Sequence, residues 1–459
     1  MSGHRLIFNR NPEVVTAAGW ALGRPKRYAD GVRWAAVLLL FVALGGAASG
    51  CDGRRTAADA QPVAVPTSVL TTPRVTPDAG RSDAGPVADE ASNGFDDRAL
   101  GALLEERPEF ARFAASPERY RLQVLVGTVA TAASGEVTVH HAGYRVDAEY
   151  IYPASAIKSL LSVASLAEAR RRGGGVQTAL GICDALRCKA IRDRSNRGRG
   201  ELTVGHAVRK IQLVSDNDAF GQLFDFVGQA TLNESLWELG LSSVRLHHRM
   251  GRRPDELGEP PAIGLVLDGQ GARARRTIVL PPTPAARLDV GRAHVDEHGR
   301  SWEAPMSFAD KNYASLRDLQ RLNIALVLPQ AREAAGLGLA EEDRRWLLKA
   351  MTEHPNDSDN PRYPGPRFGV DAHKPLLVGV RRVIDEEHVR HVGKAGRAYG
   401  FHLANAYVED RRSGRGIFVT AAIYVNPNGV VNDNRYSYDG TTAPFMADLG
   451  ERLARELLR

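Results

Sequence analysis

Ser155 and Lys158 stand three residues apart in Tyr152-Pro-Ala-Ser-Ala-Ile-Lys158; Ser215 opens Ser-Asp-Asn217, and Lys394 opens Lys-Ala-Gly396. Residues of these types can carry out acyl transfer. A serine hydroxyl is a poor nucleophile until a base beside it takes its proton. Positions i and i+3 share one face of a helix, so a helix beginning at Ser155 brings Lys158 within reach of that hydroxyl. A lysine serves as the base only when burial or a neighbouring cation lowers its pKa. Each piece also has a plainer reading. Lys158 alone suits a solvated helix lysine, and Ser215-Asp216-Asn217 alone suits a helix cap. Taken together, their order and spacing favour chemistry.

S-x-x-K, then S-D-N, then K-[ST]-G is the signature set of penicillin-recognising serine enzymes. On these residues the chain resembles the class A β-lactamase and penicillin-binding-protein superfamily, over residues 120–248 and 385–459. The resemblance implies an α+β fold, an α/β/α sandwich of β-lactamase type. An antiparallel sheet is flanked by helices, an all-helical subdomain sits beside it, and the active site lies between them. It also implies Ser155 as the acylated nucleophile, Lys158 as base and Ser215 as proton relay to the leaving nitrogen. Asn217, Lys394, Ala395, Gly396 and Arg397 would line the substrate side, with an oxyanion hole from the backbone N–H groups of Ser155 and Arg397.

Two departures from the family pattern bear on turnover. Ala395 stands where the family has Thr or Ser, so the hydroxyl that would meet a β-lactam carboxylate is missing. The family's deacylating glutamate falls in the region of Arg253-Pro-Asp-Glu-Leu-Gly-Glu259, where Glu256 and Glu259 are the candidates. Glu256 precedes Leu257 directly, whereas the family's E-x-x-L-N pattern separates them by three positions. Two exposed loop glutamates are the equal alternative, with Glu297 and Glu303 the next carboxylates to consider.

The expected activity is that of a serine hydrolase acylated at Ser155, opening β-lactams or related amide bonds, slowly. A D-alanyl peptidase acting on cell-wall peptide, and a catalytically silent envelope binding protein of the same fold, are the competing readings. The partner is a β-lactam or wall-peptide substrate, and the chain is expected to be a monomer. No cofactor or metal is expected: His388, His391 and the His247-His248 pair lack a companion pattern such as H-E-x-x-H and read as surface or core residues. Cys183 and Cys188, a short-spaced pair in an exported domain, suit a disulfide, with two free thiols or metal ligands as alternatives.

The elements that must position these residues follow from periodicity. Leu100, Leu103, Leu104 and Phe110 mark an amphipathic helix. Tyr120–Val129 and Val137–His140 read as two strands joined by a Ser-Gly turn. The Ser155 helix ends in Arg170–Arg172 and Gly173–Gly175, cations and a glycine stop at a helix C-terminus. Helical segments follow at Thr203–Leu213, Ala219–Val227 and Leu232–Leu239. Gly416–Val425 reads as a buried strand and Met446–Leu458 as an amphipathic helix. An extension of several tens of residues relative to the family lies within about 249–385, placed to cover or narrow the site. Within it Thr277–Leu280, Ser315–Leu328 and Glu341–Met351 are expected to keep core elements, while Gly269–Arg276 and Asn356–Arg367 read as loops.

The start of the chain speaks to location. Arg33 to Cys51 has a basic flank, an apolar run and Ala48-Ser49-Gly50 before Cys51, resembling a secretory signal that ends in a lipoprotein box. The run is short for a spanning helix, although a signal anchor is the alternative. Residues 1–51 thus read as a signal peptide, 52–93 as a disordered linker rich in Ala, Pro, Thr, Asp and Gly, and 94–459 as the folded domain. The expectation is an exported lipoprotein, anchored in the membrane through Cys51 and facing the periplasm or cell exterior. The formal net charge is +6, spread without a basic cluster interleaved with aromatics, so nucleic acid is not an expected partner.

Overall fold

The computed structural model describes residues 94–250, 262–269, 271–334, 336–369 and 373–459, which lie within one unit, Ala84–Arg459. Three short helices come first: α1 (Asp97–Glu106), α2 (Pro108–Ala114) and α3 (Pro117–Tyr120). The one helix expected across Leu100–Phe110 is two. Pro108 has no N–H to continue α1, and its fixed φ suits the first position of α2. The hairpin β1 (Gln123–Thr131) and β2 (Val137–Tyr144) follows, then α4 (Lys158–Arg171), β3 (Leu180–Cys183), β4 (Cys188–Ala190), α5 (Val204–Leu213), α6 (Asn217–Val227) and α7 (Gln229–Glu238). The next stretch holds β5 (Ile263–Leu265) and four very short strands: β6 (Asp289–Val290), β7 (Ala293–Val295), β8 (Ser301–Trp302) and β9 (Met306–Ser307). Then come α8 (Leu316–Val327), α9 (Glu341–Thr352) and α10 (Pro375–Val380). The chain closes with β10 (Val389–Ala398), β11 (Phe401–Asp410), β12 (Arg415–Tyr424), β13 (Val430–Val431) and α11 (Ala443–Leu457).

The main sheet has the order β10-β11-β12-β1-β2, every pair antiparallel. Successive side chains of a strand face opposite ways, and both faces here are apolar. Val124 and Val126 of β1 join Leu100, Phe110, Phe113, Phe445 and Leu449 in one layer. Leu125 joins Leu160, Leu161 and Leu319 in the other. The fold is therefore the expected sandwich, helices on each side of an antiparallel sheet, with α4 to α7 forming the helical subdomain.

α4 has no amphipathic stripe because it is enclosed from all sides. From Glu149 to Leu166 every residue is buried except Ser155. That single opening in an otherwise sealed segment is the first structural mark of a site.

Two of the three spans expected within the extension are helices, α8 and α9. Thr277–Leu280 is irregular, with Val279 97% exposed. Pro281 and Pro282 follow directly, and neither can donate a ladder hydrogen bond. The short strands of the extension are tied to the end of the chain. β7 pairs in parallel with β13, and Asn432 Nδ2 donates to Val295 O at 2.8 Å.

Candidate active site

Two backbone positions with φ in the left-handed region flank the site: Ala154 at 46° and Ser215 at 60°. Non-glycine residues rarely adopt such angles, and strain of this kind gathers at functional positions. Ala154 to Ile157 form one turn of 3₁₀ helix leading into α4. Ser155 is on that turn, one turn ahead of the start of α4. Its hydroxyl makes no hydrogen bond to a described residue, and the residue is half-buried.

The Ser215 turn joins α5 to α6. Asp216 is the N-cap of α6, its carboxylate accepting from Ala219 N at 2.8 Å. The helix-cap reading of Ser215-Asp216-Asn217 therefore holds for its middle residue, and it leaves the outer two free. Lys210 braces the turn from behind, 3.0 Å from Asp193 Oδ2 and 3.5 Å from Asp216 Oδ2.

Lys158 joins the two turns. Its Nζ lies 2.6 Å from Ser215 O, 2.9 Å from Ser215 Oγ and 2.7 Å from Asn217 Oδ1. The side chain is fully buried. Burial, then the charge of Lys394, push its pKa well below the ordinary lysine value, with Asp216 partly opposing them. A neutral amine has two N–H groups and one lone pair. The carbonyl oxygens of Ser215 and Asn217 can only accept, so in the neutral amine they take the two N–H groups and leave the lone pair to accept a proton.

β10 brings the third group. It is an edge strand, and Gly396 lies directly against the Ser155 turn. A Cβ there would sit 2.5 Å from both Pro153 O and Ser155 N. Only glycine allows so close an approach. Two residues before it, Lys394 is 3% exposed and donates to its neighbour's carbonyl, Ala395 O, at 3.1 Å; burial lowers its pKa to about 7. Ala395 offers only a methyl group. Arg397 is exposed, 3.2 Å from Asp439 and with its guanidinium 5.5 Å from the Tyr438 ring centre.

Two residues not singled out in the sequence belong to this electrostatic neighbourhood. Lys374 is buried and donates to Met351 O at 2.9 Å and Thr352 O at 2.6 Å, neutralising the carbonyl end of α9. Burial lowers its pKa to about 7. His373 is lowered to about 3 by burial and by the charges of Lys394, Arg397, Lys374 and Lys158. A lone His-Lys pair between a loop and a helix has no sequence signature, and neither has the Lys210 brace.

The structure thus brings together Ser155, Lys158, Ser215, Asn217, Lys394, Gly396 and Arg397. Glu256, Glu259 and Cys51 lie outside the described residues. The stretch holding the two glutamates begins just after Arg249, which is ion-paired to Asp225 at 3.0 Å, and ends just before β5, which pairs with β3. Glu297 and Glu303 are exposed in the β7–β9 region, and neither shares a hydrogen bond or ion pair with the site residues. Cys183 and Cys188 form a disulfide closing the β3–β4 hairpin, away from the chemistry. Among the described residues no group of three or more His, Cys, Asp or Glu is arranged to hold a metal ion. His391 is a buried core residue.

A lysine amine sealed between a serine-bearing turn and a Ser-x-Asn turn, where an antiparallel sheet meets a helical subdomain, marks a scaffold of β-lactamase type. The chain belongs to the β-lactamase enzyme family, whose family model matches residues 140–456, and so to the β-lactamase-like serine hydrolases. Solved structures similar to it include a β-lactamase from Sphaerobacter thermophilus, at 17% identity over 75% of this chain and 94% of that one, TM-score 0.40. A β-lactamase from Desulfarculus baarsii is 17% identical over 78% and 99%, TM-score 0.42. One from Burkholderia ambifaria is 14% identical over 78% and 98%, TM-score 0.42. No curated protein sequence matches the chain.

Proposed function

We propose that the protein is an acyl-serine hydrolase that captures a β-lactam or related amide carbonyl at Ser155 and releases it slowly. The observation that carries this reading is the buried, proton-poor Lys158 amine, 2.9 Å from Ser215 Oγ and one turn from Ser155. Ser155 Oγ attacks the carbonyl carbon while the Lys158 amine takes its proton. The oxyanion forms beside the backbone N–H groups of Ser155 and Arg397, on the two segments that Gly396 brings together. The Ser215 hydroxyl passes a proton to the departing nitrogen and is reprotonated from Lys158. The C–N bond breaks and leaves an ester on Ser155, which water then hydrolyses. Lys394 attracts the substrate carboxylate, and Asn217 presents its amide at the cleft surface. The same proposal puts the enzyme at the cell envelope, tethered through a lipidated Cys51 by the 52–93 linker.

Slowness rests on two features. The Ala395 methyl cannot donate to a carboxylate, and one hydrogen bond to a charged group is worth about 1.5–3 kcal/mol, roughly ten- to a hundredfold in rate. Pro254 stands three positions before Leu257, where the family's pattern has its glutamate. The test is to mix the protein with a penicillin and follow adduct formation and loss by intact mass, beside hydrolysis of a chromogenic cephalosporin. A long-lived adduct is expected, and Ala395→Thr is expected to raise the acylation constant about tenfold or more. Native turnover near a typical kcat of about 10 s⁻¹ contradicts the slow reading, and no adduct with any β-lactam favours the silent binding protein.

Acylation has a defined pH dependence. Lys158 must be neutral to act as base, so the rate falls at low pH as it takes up a proton. Lys394 must be charged to attract a carboxylate, and it loses its proton near pH 7. The second-order acylation constant for an anionic β-lactam is therefore expected to decline above about pH 7. Lys394→Arg, whose guanidinium keeps its charge, is expected to remove that alkaline limb. An unchanged limb in the variant assigns the titration to another group.

A further inference from the structure

At the sheet edge opposite the Lys394 strand, the fold forms a cavity of about 360 Å³ between α8 and the β1–β2 hairpin. Arg317, Arg321 and Ile324 of α8 line it at spacings of four and three, so they share one face of the helix. Leu125 of β1 lines it from the sheet. The third wall is the segment after α8, which contributes Arg332, Glu333 and Ala334. There Arg332 N donates to Val137 O at 3.0 Å, and Val139 N donates to Glu333 Oε2 at 2.9 Å. The two bonds fasten this segment along the outer edge of β2, covering groups that an edge strand otherwise leaves unpaired. The wall is therefore fixed in place before any ligand arrives.

Three guanidinium groups meet one carboxylate around this cavity. Arg317 is ion-paired to Asp147 at 2.7 Å. Arg321 has only a neutral partner, Gly240 O at 3.2 Å. The Arg332 side chain makes no hydrogen bond or ion pair to a described residue. Glu333, the one lining acid, already accepts from Val139 N. Like charges at i and i+4 on a helix repel, and Arg317 and Arg321 stand in that relation. All three arginines are exposed, whereas Leu125 is 2% and Ile324 1% exposed. The cavity thus has a cationic mouth above an aliphatic floor.

Each kind of side chain selects one part of an occupant. A guanidinium offers a planar fork of N–H donors that fits a carboxylate or a phosphate group bidentately. The aliphatic floor suits a compact apolar body, since a cavity of about 150 Å³ lined by such side chains already admits benzene. We propose that this cavity is a binding site for a small organic oxyanion, a carboxylate or phosphate carried on a compact apolar body. It is separate from the Ser155 site, because Lys394 lies on β10 at the far edge of the five-stranded sheet. An anion seated at the mouth also offsets the repulsion between Arg317 and Arg321.

The test is calorimetric titration of the full chain with benzoate and with phenyl phosphate. Inorganic phosphate, which lacks the apolar body, and benzyl alcohol, which lacks the charge, are titrated beside them. Saturable binding of benzoate or phenyl phosphate is expected at about 1 mM or below, and the tighter of the two assigns the oxyanion as carboxylate or phosphate. Inorganic phosphate and benzyl alcohol are expected to bind at least about tenfold more weakly. The double variant Arg321→Gln/Arg332→Gln is expected to lose at least about tenfold in affinity, the scale of a hydrogen bond to a charged group. Ala334→Trp, which fills the cavity without altering its charge, is expected to lose as much, with melting curves to show that both variants fold. Lys394→Gln is expected to bind the probes as the native protein does. Native affinity in the double variant overturns the proposal, as does loss of binding in Lys394→Gln, which puts the probe in the Ser155 site. Failure of both organic probes to saturate by roughly 20 mM overturns it too. Inorganic phosphate binding as tightly as phenyl phosphate overturns it in favour of a bare anion site.

Discussion

Ser155→Ala protein incubated with a penicillin is expected to show no mass adduct and to melt where the native protein melts. The Ser155 hydroxyl has no hydrogen-bond partner among the described residues, so its removal leaves no polar group stranded. Surface changes of that kind usually fall within about 0.5 kcal/mol. Lys158→Met should slow adduct formation at least about a hundredfold, the scale on which a general base contributes. Its effect on stability is a separate matter. The substitution removes a buried amine and leaves Ser215 O and Asn217 Oδ1 without that donor, which costs about 1–3 kcal/mol. Loss of labelling with native melting is thus expected of Ser155→Ala, and loss of labelling with a lowered melting temperature of Lys158→Met. Labelling of Ser155→Ala at native stoichiometry would place the nucleophile elsewhere.

Gly396→Ala is expected to cost about as much activity as loss of the base, though Gly396 contributes no side chain. The added Cβ would lie 2.5 Å from Pro153 O and Ser155 N, far inside contact distance. β10 is held along its length by the Val389↔Asp410 to Ala398↔Phe401 pairing with β11, so the 3₁₀ turn is the part that must give. A displacement near 1 Å at a nucleophile can cost about a hundredfold. Acylation constants for native and Gly396→Ala protein decide the point, with thermal melting to register any global loss. Native-rate acylation in the variant would show that the strand and turn are not held in register.

The site was largely legible in the sequence because its chemistry is local. Ser155 and Lys158 are one turn apart, Ser215 and Asn217 sit on one short connection, and Lys394 and Gly396 on one strand. The helices α5, α6 and α8 were also legible, since their apolar residues recur at the helical period, and the strands β1, β2 and β12 were legible as apolar, β-branched runs between turn residues. What escaped is set by contacts across the chain. Pro108 divides a helix whose apolar spacing runs straight through it. Thr277–Leu280 has strand-like residues, but two prolines deny it a partner. The two-residue strands β6, β8, β9 and β13 are too short to carry a period. Lys374 and His373 join the site only because their loop packs beside β10.

The pairing of β1 with β12 has a consequence for when this molecule can exist. Gln123 faces Ala422 and Val126 faces Val419, so the middle of the sheet joins segments about 300 residues apart in the chain. Closing so large a loop carries an entropic cost that is recovered only when the strands meet. Until β12 has left the ribosome, β1 has a single partner in β2, and the strand that carries Lys394 has no sheet to join. The Ser155 turn can be synthesised long before Gly396 reaches it, but it cannot be set in place. Folding is therefore a late event in the life of each chain, completed after its C-terminal strands are free, and the Ser155 turn stays unassembled until then.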